Sequence, residues 1–229
     1  MCYIIKNKRK GNEMDKKIKS KRKYVGKLIF IILALILIIF FISIFRKVII
    51  LSKISGITIG YTNQDNFYGE MYTYENKNFS VIKTYKLNGN YLTTISLYSN
   101  GDEENRKITM YKNGDDELSL IEVGDSKTVL NNDDTLSVNG SLINSYNYQN
   151  SIWERIKLSL VFKITKQEMN SKECYLLESS KWKIYIDANT GLLVREEQNS
   201  YVRDYYYEVN SVSKEDLKKP DTTGFKEAR

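Results

Sequence analysis

The chain has 229 residues, with 35 Lys and Arg against 28 Asp and Glu, 18 tyrosines, one proline, two cysteines and no histidine. Without histidine there is no Ser-His-Asp or Cys-His nucleophile system and no usual zinc site, and Gly-rich phosphate motifs are absent too. The formal charge of +7 does not mark a nucleic-acid binder, because from Ser55 onward 21 Lys and Arg face 26 Asp and Glu.

The basicity belongs to residues 1–27, where eleven Lys and Arg are opposed only by Glu13 and Asp15. Such a tail fixes topology and attracts anionic lipid, at about 1 kcal/mol per basic residue near the surface. Met14 follows Lys10-Gly11-Asn12-Glu13, and Lys-Gly codons can spell a purine-rich ribosome-binding sequence, so translation from Met14 is an alternative start.

Leu28 to Phe45 is a charge-free apolar stretch. At ~1.5 Å per residue it covers about 27 Å, close to the roughly 30 Å of bilayer hydrocarbon, and a single α-helix satisfies its backbone there. Phe45-Arg46-Lys47-Val48-Ile49 offers no small-residue cleavage site, so an uncleaved anchor is expected. The Lys and Arg before the span place the N-terminus in the cytoplasm and the rest outside. Cys2 and Cys174 then lie on opposite sides and cannot pair. Cys174 reads as a small buried apolar side chain.

Ser55 to Tyr61, with Gly56 and Gly60, reads as a flexible exit. Asn88-Gly89, Asn100-Gly101, Asn113-Gly114 and Asn139-Gly140, with Gly124-Asp125 between, recur about every dozen residues, the spacing of an antiparallel meander. Asn-Gly supplies the two positive-φ residues of a tight hairpin. Between the turns, Phe79, Val81, Tyr85 and Leu87 alternate with Ser80, Thr84 and Lys86. Tyr91, Thr93, Ile95 and Leu97 repeat the pattern, and Ile108, Met110, Leu118 and Leu120 continue it more weakly.

Ser151-Ile152-Trp153-Glu154 is a capping-box signature, and Ile152, Ile156 and Leu160 give the helix an apolar stripe able to cover a sheet. Ile156, Leu158, Leu160 and Phe162 also fit a strand, which places a strand start near Leu160. Strands return at Cys174–Glu178, Trp182–Asp187, Leu192–Glu197 and Tyr201–Val209. Pro220 and Gly224 end regular structure.

The acidic clusters Asp102-Glu103-Glu104, Asp115-Asp116-Glu117 and Asn131-Asn132-Asp133-Asp134 sit on or beside turns and lack calcium-loop spacing. Glu196 and Glu197 point to opposite faces of a strand and cannot form a carboxylate pair. The tyrosines suit half-buried strands, with ring inside and hydroxyl in water.

The block Trp182 to Arg195, with Tyr205 to Val209 and Glu215 to Asp221, resembles the closing hairpins of the LolA-type family of lipoprotein carriers and envelope sensor domains. The resemblance implies a strongly curved antiparallel half-barrel over one or more helices, with an apolar pocket for acyl chains or peptides. It carries Asp187, Gly191 and Arg195 over as turn and strand elements, not catalytic ones. A tethered chain cannot shuttle, so a fixed binding or sensing role fits better.

The expected architecture is therefore mainly β (α+β). A basic cytoplasmic tail (1–27) leads into a transmembrane helix (28–51), a linker (52–60), an extracytoplasmic β-rich domain (61–221) and a flexible tail (222–229). No catalytic, cofactor-binding or metal-binding residue is assigned, and the ligand-binding residues stay unknown. The expected function is non-catalytic binding of an apolar (lipid or acyl) or peptidic ligand; a sensor module binding an envelope protein is the alternative. The expected partners are membrane lipid, through anchor and tail, and that ligand or protein, not nucleic acid.

Overall fold

The computed structural model describes residues 2–62, 65–99, 103–131 and 151–227. The chain divides into two compact units, Met1–Lys47 and Val48–Arg229. Helix α1 runs from Cys2 to Thr62. Among the described residues it holds the one stretch long and apolar enough to cross a membrane, Tyr24–Gly56. Its apolar side chains from Leu28 to Phe45 are largely exposed, the state expected of a segment whose solvent is lipid.

The expected flexible exit, Ser55 to Tyr61, and the linker 52–60 lie within helix α1 instead. A glycine inside a helix costs about 1 kcal/mol relative to alanine. Val48, Leu51 and Ile54, three residues apart on one helical face, are buried in the second unit, and each is worth about 1.5–3 kcal/mol when fully covered. Burial therefore outweighs the weak helix propensity of Gly56 and Gly60.

Twelve strands among the described residues form one open, curved sheet, in the order β12-β6-β5-β4-β3-β2-β1-β11-β10-β9-β8-β7. This is the fold class expected above. Strands β1 (Asn66–Glu75), β2 (Asn78–Leu87), β3 (Asn90–Ser99), β4 (Glu103–Asn113), β5 (Asp116–Val123) and β6 (Ser126–Asn131) make a meander. Strands β7 (Lys163–Met169), β8 (Lys172–Glu178), β9 (Trp182–Asp187), β10 (Leu193–Gln198) and β11 (Tyr201–Val209) make a second one. The two join where β1 pairs antiparallel with β11.

The turns follow their chemistry. Asn88 (φ 52°) and Gly89 (φ 81°) both take positive φ, as a type I′ hairpin requires. The next hairpin differs from expectation. Asn113 pairs with Asp116, so the loop is Gly114-Asp115, and there only Gly114 (φ 63°) is left-handed. Asn170 (φ 51°) and Ser171 (φ 59°) close the β7–β8 hairpin without glycine, a turn the sequence does not advertise. Asn100-Gly101, Asn139-Gly140 and the stretch Asn132-Asp133-Asp134 lie outside the described residues.

Helix α2 (Ile152–Val161) starts where expected, with the Ser151 hydroxyl accepting from the Trp153 N–H at 3.3 Å. It continues through Leu160, where a strand start was expected. The face it packs is also different. Leu158, Ser159 and the following Phe162 turn inward, while Ile152 and Leu160 are exposed.

The residues after β11 form a 3-10 turn (Lys214–Leu217), then β12 (Lys226–Glu227) pairs parallel to β6. Phe225 packs on Tyr111, Leu118, Leu120 and Val129. Part of the segment expected as a flexible tail, 222–229, is thus seated on the sheet through Phe225 and β12.

Candidate binding surface

Cross-strand register defines two faces. On the inner one, Tyr175 and Leu177 of β8, Ile184 and Ile186 of β9, Leu193 of β10 and Tyr205 of β11 form the main core with Leu51 and Ile54 of α1 and Phe162. Met71, Leu158, Ile164 and Trp182 pack against it. Over this half of the sheet, the apolar interior that could hold a ligand is filled by the chain's own helical residues.

The same face continues onto the first meander. Met71 pairs with Ile82, Ile82 with Ile95, Ile95 with Ile108 and Ile108 with Ile121, so these five side chains line up across five strands. All are half-buried. The next row is small and polar: Thr84 and Thr93, whose hydroxyls lie 3.1 Å apart, lead to Met110 and Ser119, all four buried. Toward the strand ends a polar cleft of about 290 Å³ is lined by Thr73, Glu75, Asn78, Ser80, Ser99 and Asn105 among others.

An ionic cluster built on one buried carboxylate sits beside these rows. Glu196 is 1% exposed and accepts from the hydroxyls of Tyr201 (2.9 Å) and Tyr205 (3.3 Å). Arg203 Nη1 approaches it at 3.6 Å. The arrangement follows from register: Glu196 is the direct partner of Arg203 across the β10–β11 hairpin, and Tyr201 and Tyr205 flank Arg203 on its own strand. Burial, and then the Glu196 charge, pushes the Tyr205 phenol well above its ordinary range. Pairing of Glu196 with Arg203 is the sequence signal that could have located this cluster. Glu197 falls opposite Val202, so the two adjacent carboxylates do occupy opposite faces.

On the outer face Glu70 takes hydrogen bonds from Tyr68 and Tyr72 and an ion pair from Lys83. Burial pushes its carboxyl up, but those three donors together outweigh burial and hold it below the ordinary range. Tyr74, Phe79 and Tyr98 stand in a row, with the last two rings stacked at 4.1 Å. Rings stacked on one another leave mainly their edges outward, which favours a structural role over a flat platform for sugars.

The residues singled out by resemblance are structural. Asp187 accepts from the N–H groups of Asn189 (2.7 Å) and Thr190 (3.2 Å), Gly191 has φ 68°, and Arg195 pairs with Glu197 (2.8 Å) and Asp204 (3.3 Å). Cys174 is buried, and burial followed by the Asp187 charge raises its thiol pKa. Asp116 and Glu117 are held in ion pairs with Lys219 and Lys112. Among the described residues no group of three or more His, Cys, Asp or Glu side chains could hold a metal ion.

No protein-family model matches the chain, and no curated protein does. Among solved structures it is similar to the crystal structure of MucB in complex with MucA(peri), at 8% identity and a TM-score of 0.40, over 76% of this chain and 60% of that one. It is also similar to a DUF1329 family protein from Desulfovibrio piger, at 12% identity and a TM-score of 0.31, over 75% of this chain and 97% of that one. The strand order and the helices by themselves define the class, a helix-bearing, open and mainly antiparallel half-barrel.

Proposed function

We propose that this chain is a single-pass membrane protein, N-terminus cytoplasmic and sheet extracytoplasmic, that acts without catalysis as a fixed binding module for a protein or peptide of the cell envelope. The observation that carries the reading is the state of the inner face. Leu51, Ile54 and Phe162 pack into it over β7–β11, so that among the described residues the chain's own side chains occupy the place an acyl chain would take there. What continues is a shallow row, Met71 to Ile121, bordered by hydroxyls, amides and the Glu196–Arg203 cluster. An apolar strip edged by hydrogen-bonding groups suits a peptide, which brings both kinds of surface, better than a hydrocarbon tail. Orientation rests on the basic tail.

A photoactivatable residue at Ile95, introduced into the full chain in intact cells, tests the reading. One discrete protein adduct, lost when Ile108 is changed to Asp, is the expected result. Adducts with lipid alone, from protein whose near-ultraviolet dichroism is native, would overturn it.

A further inference from the structure

At ~100° per residue, Ile152, Trp153, Ile156, Lys157, Leu160 and Val161 fall on one half of helix α2. Arg155, Leu158 and Ser159 fall on the other. The second half packs on the fold, with Leu158 against the main core and Ser159 buried. The first half faces out: Trp153 is 71% exposed, Val161 64%, and Ile152 and Leu160 each 56%. A ten-residue helix with its apolar half turned outward is inverted for a water-facing surface, and such a patch marks an interaction site. We propose that this half of α2 lies in the headgroup region of the bilayer that the Leu28–Phe45 stretch crosses, as a second, in-plane attachment of the domain.

Three observations select lipid as the occupant. Arg155 Nη1 donates to Ser52 Oγ at 2.9 Å, which ties α2 to α1. Ser52 follows Lys47, the last of the basic pair ending the apolar stretch, by only five residues, and such a segment reaches no more than ~18 Å even fully extended. Helix α2 is therefore held near the point where the chain leaves the hydrocarbon. Its composition suits that place: a tryptophan, which favours the membrane–water boundary, beside aliphatic side chains that can immerse by ~5–10 Å. Lys157 and Lys163 are exposed on and just after the helix, positioned for anionic headgroups. Glu154, at the margin of the outward half, is half-buried.

The inference rests on the reading of Leu28–Phe45 as a membrane span, and the test separates the two. Full-length Trp182→Phe protein keeps Trp153 as its one tryptophan. It is reconstituted into phosphatidylcholine–phosphatidylglycerol vesicles with brominated acyl chains. Resistance to alkaline extraction reports the span, and Trp153 emission reports α2. In protein that resists extraction, Trp153 should be blue-shifted and lose roughly half its emission to the brominated chains, as an interfacial indole does. Emission unchanged by bromine but quenched by acrylamide would overturn the proposal while leaving the span intact, and blue-shifted emission untouched by bromine would overturn it in favour of a protein cover. If Trp182→Phe does not fold, the difference between the unaltered chain and Trp153→Phe gives the same reading.

Discussion

Replacing Leu51 with alanine tests whether the C-terminal end of helix α1 is part of the domain core. Leu51 is 0% exposed and sits among Tyr175, Leu177, Ile184 and Ile186. Truncating a buried leucine costs about 2–5 kcal/mol, more where the surroundings cannot collapse into the gap. Here one wall is a hydrogen-bonded sheet and collapse is limited, so about 3–4 kcal/mol is expected. Ile49, two residues earlier and 52% exposed, is the control: Ile49→Ala should cost under ~1 kcal/mol. Both changes put alanine into the same helix, so their difference isolates packing from helix propensity. The assay is urea unfolding of the full chain in mild detergent, followed by near-ultraviolet dichroism of Trp182, which packs against the same cluster. With a slope of about 1–3 kcal/mol per molar urea, Leu51→Ala should lower the midpoint by ~1–4 M. Equal shifts for the two variants would refute the claim that α1 completes the core.

A fragment starting at Lys47 should fold, whereas one starting at Gly56, which lacks Leu51 and Ile54, should expose the core and bind a hydrophobic dye. Glu196→Ala should destabilise by about 2 kcal/mol in thermal or urea unfolding, less than a fully buried pair, because Arg203 keeps 36% of its side chain exposed. Glu70 has its carboxyl pKa lowered, so its contribution is present above the ordinary carboxylate range and lost as pH falls through the folded value. Glu70→Gln should accordingly flatten the acid limb of stability against pH. Tyr205 and Tyr207 have phenols raised by burial, so their contribution holds below pH ~10 and is lost on further rise. Phenolate absorbance at alkaline pH should then show a fraction of the tyrosines ionising only as the domain unfolds. Gly89→Ala, at φ 81° with open space around it, should cost about 1–2 kcal/mol by backbone strain alone.

The parts legible in the sequence were those governed by local chemistry. Asn88-Gly89 dictates its own turn, and the run Trp182 to Asp187 shows its strand by placing Trp182, Ile184 and Ile186 on the main core face, although Tyr185 on the other face is buried too, with Cys174, Leu176 and Val194. Strand β1 was missed because Tyr68, Tyr72 and Tyr74 put aromatics on its outer face, blurring the period-two contrast with Phe67 and Met71. Helix α2 was found by its cap but assigned the wrong inner face. Its apolar stripe points out, and its packed side carries Arg155 and Ser159, which hydropathy marks as solvent-facing. The exit segment Ser55 to Tyr61 departs from expectation for the opposite reason: two glycines signal a break that burial of Leu51 and Ile54 overrides. The Glu196–Arg203–Tyr205 cluster is legible only once the β10–β11 hairpin is given its register, which sets Glu196 opposite Arg203.

The filled interior bears directly on what kind of ligand the domain can accept. For an acyl chain to occupy the core over β7–β11, Leu51 and Ile54 would have to leave it, at about 1.5–3 kcal/mol each. A ligand gains ~0.8 kcal/mol per buried methylene, so roughly the first four to eight methylenes would only offset that displacement. Moving those side chains also means withdrawing α1 and breaking the Arg155–Ser52 hydrogen bond that joins it to α2. A partner that uses the half-buried isoleucine row meets no such opposition, since its side chains already keep part of their surface accessible. The energetic asymmetry between the two halves of one continuous face is the physical reason to expect recognition over the first meander and structural cohesion over the second.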